Sequence, residues 1–149
     1  MTTASCPCGL STIEVKGDPL LRIACHCSLC QQFNAAPFAD IVLYRDKDVS
    51  PIGDTKIRYS RLRPPPAVDR GVCAHCEQPF LERLRWPLMP AVAFVPSELL
   101  AGQVVLPDIA VRVFYDKRSA DVDDSVPHIS GYLASQWAVM RRLLPALIA

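Results

Sequence analysis

The chain has 149 residues, half of them hydrophobic, and a formal net charge of +1. This length suits a single domain with one buried core, and the hydrophobic content excludes a disordered chain. The near-neutral charge gives no support for a nucleic acid or an acidic membrane as a partner.

The start of the chain and its apolar segments bear on where the protein resides. Residues 1–5 contain neither a basic segment nor an apolar core, so we expect no signal peptide. Prolines interrupt the apolar segments well short of the roughly 18 residues that a membrane helix needs. We therefore expect a cytoplasmic protein without a membrane partner.

Short strands dominate the predicted secondary structure. The chain has fourteen prolines spread along its length, which limit most segments and argue against a helical bundle. Alternating or β-branched apolar patterns indicate strands. The predicted strands lie at residues 12–16, 20–24, 38–44, 56–62, 92–95 and 109–115.

Two connections have a distinctive composition. Residues 64–66 are three prolines, which predict a stiff, extended spacer leading to a later cysteine pair. Residues 116–131 form a polar segment that contains Asp121, Asp123 and Asp124. Because the rest of a calcium-binding loop is missing, we interpret this segment as a solvated loop.

The C-terminal segment has a helical pattern. Four apolar residues recur at helical spacing, namely Leu133, Trp137, Met140 and Leu144. Since Pro145 follows, we predict a helix over residues 132–144. We expect its apolar stripe to dock on the sheet; a dimer contact is the alternative, so both monomer and homodimer remain open. We divide the chain into a domain of residues 1–131 and a helical extension of residues 132–149 packed on it.

Seven cysteines are the main functional signal. In a reducing compartment such a set indicates metal ligands rather than disulfides, and the odd count would leave one thiol unpaired. Sulfur ligands select zinc over magnesium or calcium. Three of them, Cys25, Cys27 and Cys30, lie within six residues and have no fourth ligand nearby in the sequence. A metal-free redox sensor is another interpretation of these three thiols.

The other four cysteines form two tight pairs. Two thiolates on one zinc ion lie about 3.8 Å apart, a separation that both CxC and CxxC turns allow. We favour joining the pairs into one site, made of Cys6, Cys8, Cys73 and Cys76. The alternative is a zinc ribbon that combines Cys27 and Cys30 with the last pair, but the intervening gap exceeds the common spacing of roughly 15–20 residues.

The histidines and three aromatic residues are further candidates. His26 lies between two expected ligands, so we expect its side chain to point away from their metal, toward a neighbouring group or solvent. His75 is expected to be exposed. His128 is interpreted as an ordinary loop residue, with a role as fourth ligand or acid/base as the alternative. Core packing is favoured over a place in a substrate cleft for Phe33, Phe38 and Trp86.

Several motifs occur in a characteristic order. They are Cys6-x-Cys8-Gly9, Cys25-His26-Cys27-Ser28-x-Cys30, Ala36-Pro37-Phe38 and Arg70-x-x-Cys73-x-x-Cys76. This set resembles the glutathione-dependent formaldehyde-activating enzyme (GFA) family over roughly residues 4–115, and centromere protein V carries the same type of domain. The resemblance implies a β-tent fold of small antiparallel sheets built around zinc. With the C-terminal helix, the predicted fold class is mainly β.

The resemblance also implies two zinc sites and an activity. Cys6, Cys8, Cys73 and Cys76 would hold a structural zinc. The catalytic zinc would be held by Cys25, Cys27 and Cys30, with an open position for the thiol of glutathione or its formaldehyde adduct. The implied activity is that of a carbon–sulfur lyase, S-(hydroxymethyl)glutathione synthase. Positions that are often basic in the family are Gln31 and Gln32 here. The alternative function is a non-catalytic binding module with two structural zinc ions.

Overall fold

The computed structural model describes residues 1–63 and 68–149. In these ranges the protein is mainly β, with 34% strand and 23% helix, small antiparallel sheets and a C-terminal helix, as predicted. The proposed spacer at residues 64–66 lies outside the described residues. None of the helices in the described ranges is long and apolar enough to cross a membrane.

The strands are short. Their bounds are β1 (Thr2–Ser5), β2 (Thr12–Val15), β3 (Leu21–Cys25), β4 (Ala39–Arg45), β5 (Val49–Ile52), β6 (Ile57–Ser60), β7 (Asp69–Cys73), β8 (Pro79–Leu84), β9 (Val92–Pro96) and β10 (Val111–Val113). The α-helices in the described residues are α1 (Ser28–Asn34), α2 (Ser97–Leu100) and α3 (Tyr132–Ile148). Single 3-10 turns follow β4, at Asp46–Asp48, and β10, at Tyr115–Lys117.

Within the described residues the strands form a three-stranded and a seven-stranded sheet. The smaller sheet has the order β1-β2-β5, and all its pairings are antiparallel. The larger sheet has the order β10-β3-β4-β9-β8-β7-β6, in which only the pairing of β10 with β3 is parallel. This order places β10 beside β3, the strand that leads into the three-cysteine motif.

Strand β4 is buried on both faces and separates two hydrophobic cores. Because side chains alternate along a strand, Ile41 and Leu43 enter one core while Val42 and Tyr44 enter the other. The first core also contains Cys25, Cys30 and the buried apolar residues of α3. The second contains Cys6 and Cys73. Cysteines of the two sequence groups therefore lie in different cores.

All six predicted strands are present, but four further strands were missed, namely β1, β5, β7 and β8. Two of these, β7 and β8, lack an alternating apolar pattern, and each buries a charged side chain. Arg70 of β7 lies directly opposite Glu82 of β8, and both side chains are buried. At the adjacent Gly71, a Cβ atom would lie 2.1 Å from the carbonyl oxygen of Leu81, so only glycine allows this approach of the strands.

Helix α3 corrects the prediction in two respects. It continues through Pro145 to Ile148, because Leu147 is buried in the core and Arg45 Nη2 donates to the Ala146 carbonyl oxygen at 2.8 Å. The predicted docking stripe is also wrong, since Leu133 and Trp137 are 79% and 64% exposed.

The helix docks through its other face. Its buried residues are Ser135, Ala138, Leu143 and Leu147. The small side chains of Ser135 and Ala138 allow α3 to approach β10 and β3, and Ser135 Oγ accepts a hydrogen bond from the backbone N–H of Phe114 at 2.8 Å. The space available beside β10 and β3 therefore determines which face of α3 docks, and the size of the apolar side chains does not. The division at residue 131 stays a prediction.

Candidate metal centres

The first candidate centre is the four-cysteine cluster, made of Cys6, Cys8, Cys73 and Cys76. All four sulfur atoms lie within 4.8 Å of one another. The turn between β1 and β2 supplies the first pair, and the turn between β7 and β8 supplies the second. The Cys6 and Cys8 sulfurs are 3.0 Å apart, and those of Cys8 and Cys73 are 3.7 Å apart. This is the grouping that the spacing favoured over a zinc ribbon.

Both turns of this cluster use a left-handed residue. Gly9 has φ +76° and its N–H donates to the Cys6 carbonyl oxygen at 2.9 Å. In the second turn Glu77 has φ 62°, a conformation that costs more for a residue with a Cβ atom. Its N–H donates to the Cys73 carbonyl oxygen at 2.8 Å, and its carboxylate pairs with Arg58 at 2.9 Å. The turn is thus held by local bonds despite the absence of glycine.

The surroundings of Cys73 in the four-cysteine cluster favour its thiolate form. Burial alone would raise the pKa of Cys73. Hydrogen bonds with Ser11 Oγ, at 3.1 Å, and with the backbone N–H groups of Cys76 and His75 outweigh this effect and lower the pKa to about 6. Zinc binds thiolates rather than thiols, so this environment suits a metal ligand.

The second candidate centre is the three-cysteine cluster, made of Cys25, Cys27 and Cys30. Its sulfur atoms also lie within 4.8 Å of one another. Cys25 ends β3, Cys27 is the N-cap of α1, and Cys30 lies in the first turn of that helix. Cys27 Sγ accepts a hydrogen bond from the Cys30 N–H at 3.3 Å. The bend from strand to helix therefore brings three nearby cysteines to one point.

Charge in the three-cysteine cluster is shared unevenly. Hydrogen bonds from the Cys25 and Cys30 thiols lower the pKa of Cys27 to about 2. The hydrogen bond between Cys25 and Cys27 in turn raises the pKa of Cys25 well above its ordinary value. The lowered pKa favours a thiolate on Cys27, which is half-buried, whereas Cys25 and Cys30 are buried. The seven cysteines, all within the described residues, form no disulfide.

A buried ion pair adjoins the three-cysteine cluster. The Nη1 and Nη2 atoms of Arg70 lie 3.8 and 3.9 Å from Cys30 Sγ. Nη1 also lies 3.5 Å from Glu82 Oε2, and the guanidinium carbon lies 5.5 Å from the centre of the Phe33 ring. Burial raises the pKa of Glu82 to about 7, although Arg70 opposes this effect. Arg70 belongs to one of the sequence motifs, whereas Glu82 was not predicted as a site residue. The only signal for Glu82 is a pair of opposite charges on two strands that the sequence pattern did not predict.

His26 lies outside the ligand group, as expected, but it is not in solvent. Only 1% of it is exposed, and its ring packs against Phe38 and Tyr115 with centroid distances of 4.9 and 5.2 Å. Its Nε2 lies 3.3 Å from Arg112 Nη1. Because arginine only donates, Nε2 accepts and Nδ1 carries the proton. Burial and the Arg112 charge lower the pKa of His26 to about 4.

His128 belongs to an ion-pair network in the polar loop. Its Nε2 lies 3.0 Å from Asp124 Oδ1, and its ring stacks on Tyr115 at 4.0 Å. Asp124 also pairs with Arg112 at 2.8 Å. Among the described residues, the metal-capable group around the three cysteines includes no histidine. The loop is mostly exposed, as predicted, and the ion pair between Asp124 and Arg112 fastens it to β10. His75 is also exposed as predicted.

The remaining candidates have different roles. Phe33 and Phe38 are half-buried beneath the guanidinium groups of Arg70 and Arg112. Trp86 is 44% exposed, so its predicted core position is wrong. Gln31 Nε2 donates to the carbonyl oxygens of His26 and Lys117 at 2.7 and 2.8 Å. This amide therefore ties α1 to the segment after β10.

Fold and site together define a class: a mainly β protein with one cluster of four cysteines and one of three, each able to hold a metal ion. The model of the family described as glutathione-dependent formaldehyde-activating enzyme matches residues 1–116, and the chain belongs to this family. The resemblance inferred from the ordered cysteine motifs is thereby confirmed.

Comparison with individual proteins adds less. Among solved structures, a crystal structure of a Rhodobacter sphaeroides protein shares 20% sequence identity with this chain, with a TM-score of 0.49. The match covers 70% of this chain and 91% of the other. The comparison with curated proteins finds no match.

Proposed function

We propose that the protein is a zinc-dependent carbon–sulfur lyase of the S-(hydroxymethyl)glutathione synthase type. Its substrate would be the adduct of glutathione, or of another small thiol, with formaldehyde or a small aldehyde. Family membership supports this proposal. One observation carries it: three clustered sulfur atoms have no fourth histidine, cysteine, aspartate or glutamate ligand among the described residues.

The two sulfur sets fit zinc by their chemistry. Thiolates are soft ligands that select zinc, and a structural zinc takes four ligands whereas a catalytic zinc keeps one position open. We assign the four-cysteine cluster to a structural zinc. The three-cysteine cluster would hold a catalytic zinc through Cys25, Cys27 and Cys30, with the fourth position left for the substrate thiol.

The chain's residues would act by binding and shielding. A zinc ion in the three-cysteine cluster would supply activation of a thiol and polarisation of a carbonyl group. Cys25 and Cys30 are buried and keep water from one side, while the half-buried Cys27 leaves an approach from outside. In the synthesis direction, the substrate sulfur bonds to the aldehyde carbon and the proton lost by the thiol ends on the carbonyl oxygen. The lyase direction reverses both changes.

A second candidate is a non-catalytic binding module with two structural zinc ions. The observation in its favour is Gln31, which stands where many family members have a basic residue. Its amide is committed to two backbone carbonyl groups, so it offers no positive charge to the carboxylates of glutathione. If this candidate is right, the three-cysteine cluster would not exchange a ligand with free thiols.

The two candidates differ in their response to a thiol. Cobalt would replace zinc, and its visible spectrum would be followed during titration with millimolar glutathione. S-methylglutathione is the matched control, because it keeps the peptide but cannot provide a thiolate. The lyase proposal predicts a spectral change with glutathione alone. An unchanged spectrum with both compounds would favour the binding module.

A further inference from the structure

Arg70 is a buried cation in direct contact with a proposed metal ligand. It is 9% exposed, and two of its nitrogen atoms lie 3.8 and 3.9 Å from Cys30 Sγ, within the range of N–H···S hydrogen bonds. The contact is specific to one cluster. In residues 1–63 and 68–149, no guanidinium hydrogen bond reaches a sulfur of the four-cysteine cluster, where Ser11 Oγ is the side-chain partner of Cys73.

Two neighbours hold the guanidinium of Arg70 in place. Glu82, 5% exposed, lies opposite it on β8 and pairs with Nη1 at 3.5 Å. Phe33 of α1 lies 5.5 Å beneath the guanidinium carbon. Since Cys30 belongs to the same helix as Phe33, movement of α1 relative to β7 would break the ring contact and the sulfur contacts together. The orientation of Arg70 is therefore fixed from the sheet and from the helix.

The charge of Arg70 bears on what the cluster can bind. Three thiolates around a divalent ion carry one net negative charge, and a fourth thiolate adds another. In a buried site such repulsion is weakly screened. A guanidinium beside Cys30 offsets one of these charges, and its hydrogen bonds withdraw electron density from the sulfur. Both effects make the metal ion a better acceptor for a further thiolate.

We propose that Arg70 is a positioning residue of the three-cysteine centre, where its N–H···S hydrogen bonds to Cys30 weaken electron donation by this sulfur and favour entry of a fourth thiolate. The proposal rests on the proposed function in one respect, namely that this cluster holds a metal ion with an exchangeable position. It adds a residue outside the cysteine motif, placed by β7 and oriented by Glu82.

The test uses the full chain loaded with cobalt, first without any thiol. Because Arg70→Met alone would leave Glu82 buried and unpaired, the main variant is Arg70→Met with Glu82→Gln. The matched control is Arg83→Met with Asp46→Asn. It removes an arginine of β8 that is as buried as Arg70 but makes no hydrogen bond to sulfur, together with its ion-pair partner in the 3-10 turn after β4. We expect the sulfur-to-cobalt charge-transfer band to move to longer wavelength in the main variant and to stay in place in the control.

A conservative variant and a thiol titration complete the test. Arg70→Lys keeps the charge but not the paired N–H donors, so its band should lie between those of the wild type and the main variant. Glutathione should bind the main variant about 10-fold more weakly than the wild type, the scale of one charge-assisted hydrogen bond.

Each remaining outcome contradicts the proposal in a distinct way. An unchanged band in the folded, cobalt-loaded main variant would refute it, as would an equal shift in the control. If the main variant does not fold, an unshifted band in Arg70→Lys would refute it. Failure of the wild type to bind glutathione would contradict the proposed lyase function and the effect of Arg70 on thiolate entry, whereas the thiol-free band would still report separately on the hydrogen bonds between Arg70 and Cys30.

Discussion

The two cysteine clusters differ in how far along the chain their members lie. Cys8 and Cys73 are 65 positions apart, and their cluster joins the β1–β2 turn to the β7–β8 turn. Cys25 and Cys30, by contrast, belong to one strand–helix bend. A metal ion in the four-cysteine cluster would therefore stabilise the fold, whereas one in the three-cysteine cluster would add little long-range constraint. The proposed function uses this difference, because it requires ligand exchange only at the three-cysteine cluster.

The clusters also differ in their electrostatic surroundings. In the four-cysteine cluster, Cys73 forms hydrogen bonds with Ser11 and with backbone N–H groups, which are neutral partners. The three-cysteine cluster has the charged Arg70 at Cys30. Neutral donors suit a permanent set of four thiolates that shares one ion. A mobile ligand that arrives as an anion is better served by a fixed positive charge.

The largest expected effect comes from breaking the four-cysteine cluster. Cys73→Ser should unfold the protein or make it insoluble, because a structural zinc contributes about 10–16 kcal/mol of apparent binding free energy. That amount is comparable with the usual stability of a domain, about 5–15 kcal/mol. Circular dichroism and solubility measurements would check this, and a soluble variant with native thermal unfolding would contradict it.

The matching change in the three-cysteine cluster should leave the fold largely intact. Serine at position 27 can still cap α1, since Cys27 Sγ accepts from the Cys30 N–H and a serine hydroxyl can do the same. Cys27→Ser should therefore lower the zinc content from two ions per chain to one, measured by atomic emission. If it denatured the protein as badly as Cys73→Ser, the proposed division between the clusters would be wrong.

A smaller effect should follow from changing the partner of Cys73. Ser11 is fully buried, and Ser11→Ala removes the 3.1 Å contact between its Oγ and the Cys73 sulfur. We expect the free energy of unfolding to fall by about 1 kcal/mol. Chelators should also extract the metal of the four-cysteine cluster faster. Denaturant titration and chelator kinetics measure these changes; unchanged kinetics would mean that Ser11 does not stabilise the thiolate.

The smallest expected effect concerns His128. Because its Nε2 is engaged by Asp124, His128→Ala should keep both zinc ions and lower thermal stability only slightly. Metal analysis and a melting curve would check both expectations. Loss of one zinc ion would instead make His128 the fourth ligand of the three-cysteine cluster, and the vacancy that the proposed function requires would disappear.

The sequence was most informative where local spacing decides structure. The CxC and CxxC spacings predicted the three-cysteine group directly, and they favoured joining the two remaining pairs into one four-cysteine group. The sequence was least informative where contacts between residues far apart in the chain determine the structure. Neither the burial of Arg70 nor its contact with Glu82 follows from a local pattern, because the two residues become opposite each other only when β7 pairs with β8.

The docked face of α3 shows the same limit. Its large apolar residues form the more obvious stripe, yet Leu133 and Trp137 are exposed and Ala138 is buried. The space beside β10 selects small side chains, and that space is a property of the assembled sheet. Helical periodicity identified the helix but could not indicate which of two apolar faces would dock.

The most direct test of the account is a crystal structure with anomalous scattering measured at the zinc edge, with and without glutathione. We predict two zinc ions per chain. One would be bound by four cysteine sulfurs in both crystals. The other would be bound by Cys25, Cys27, Cys30 and a ligand that the glutathione sulfur replaces. A protein side chain in that fourth position, or a three-cysteine cluster without metal, would contradict the account.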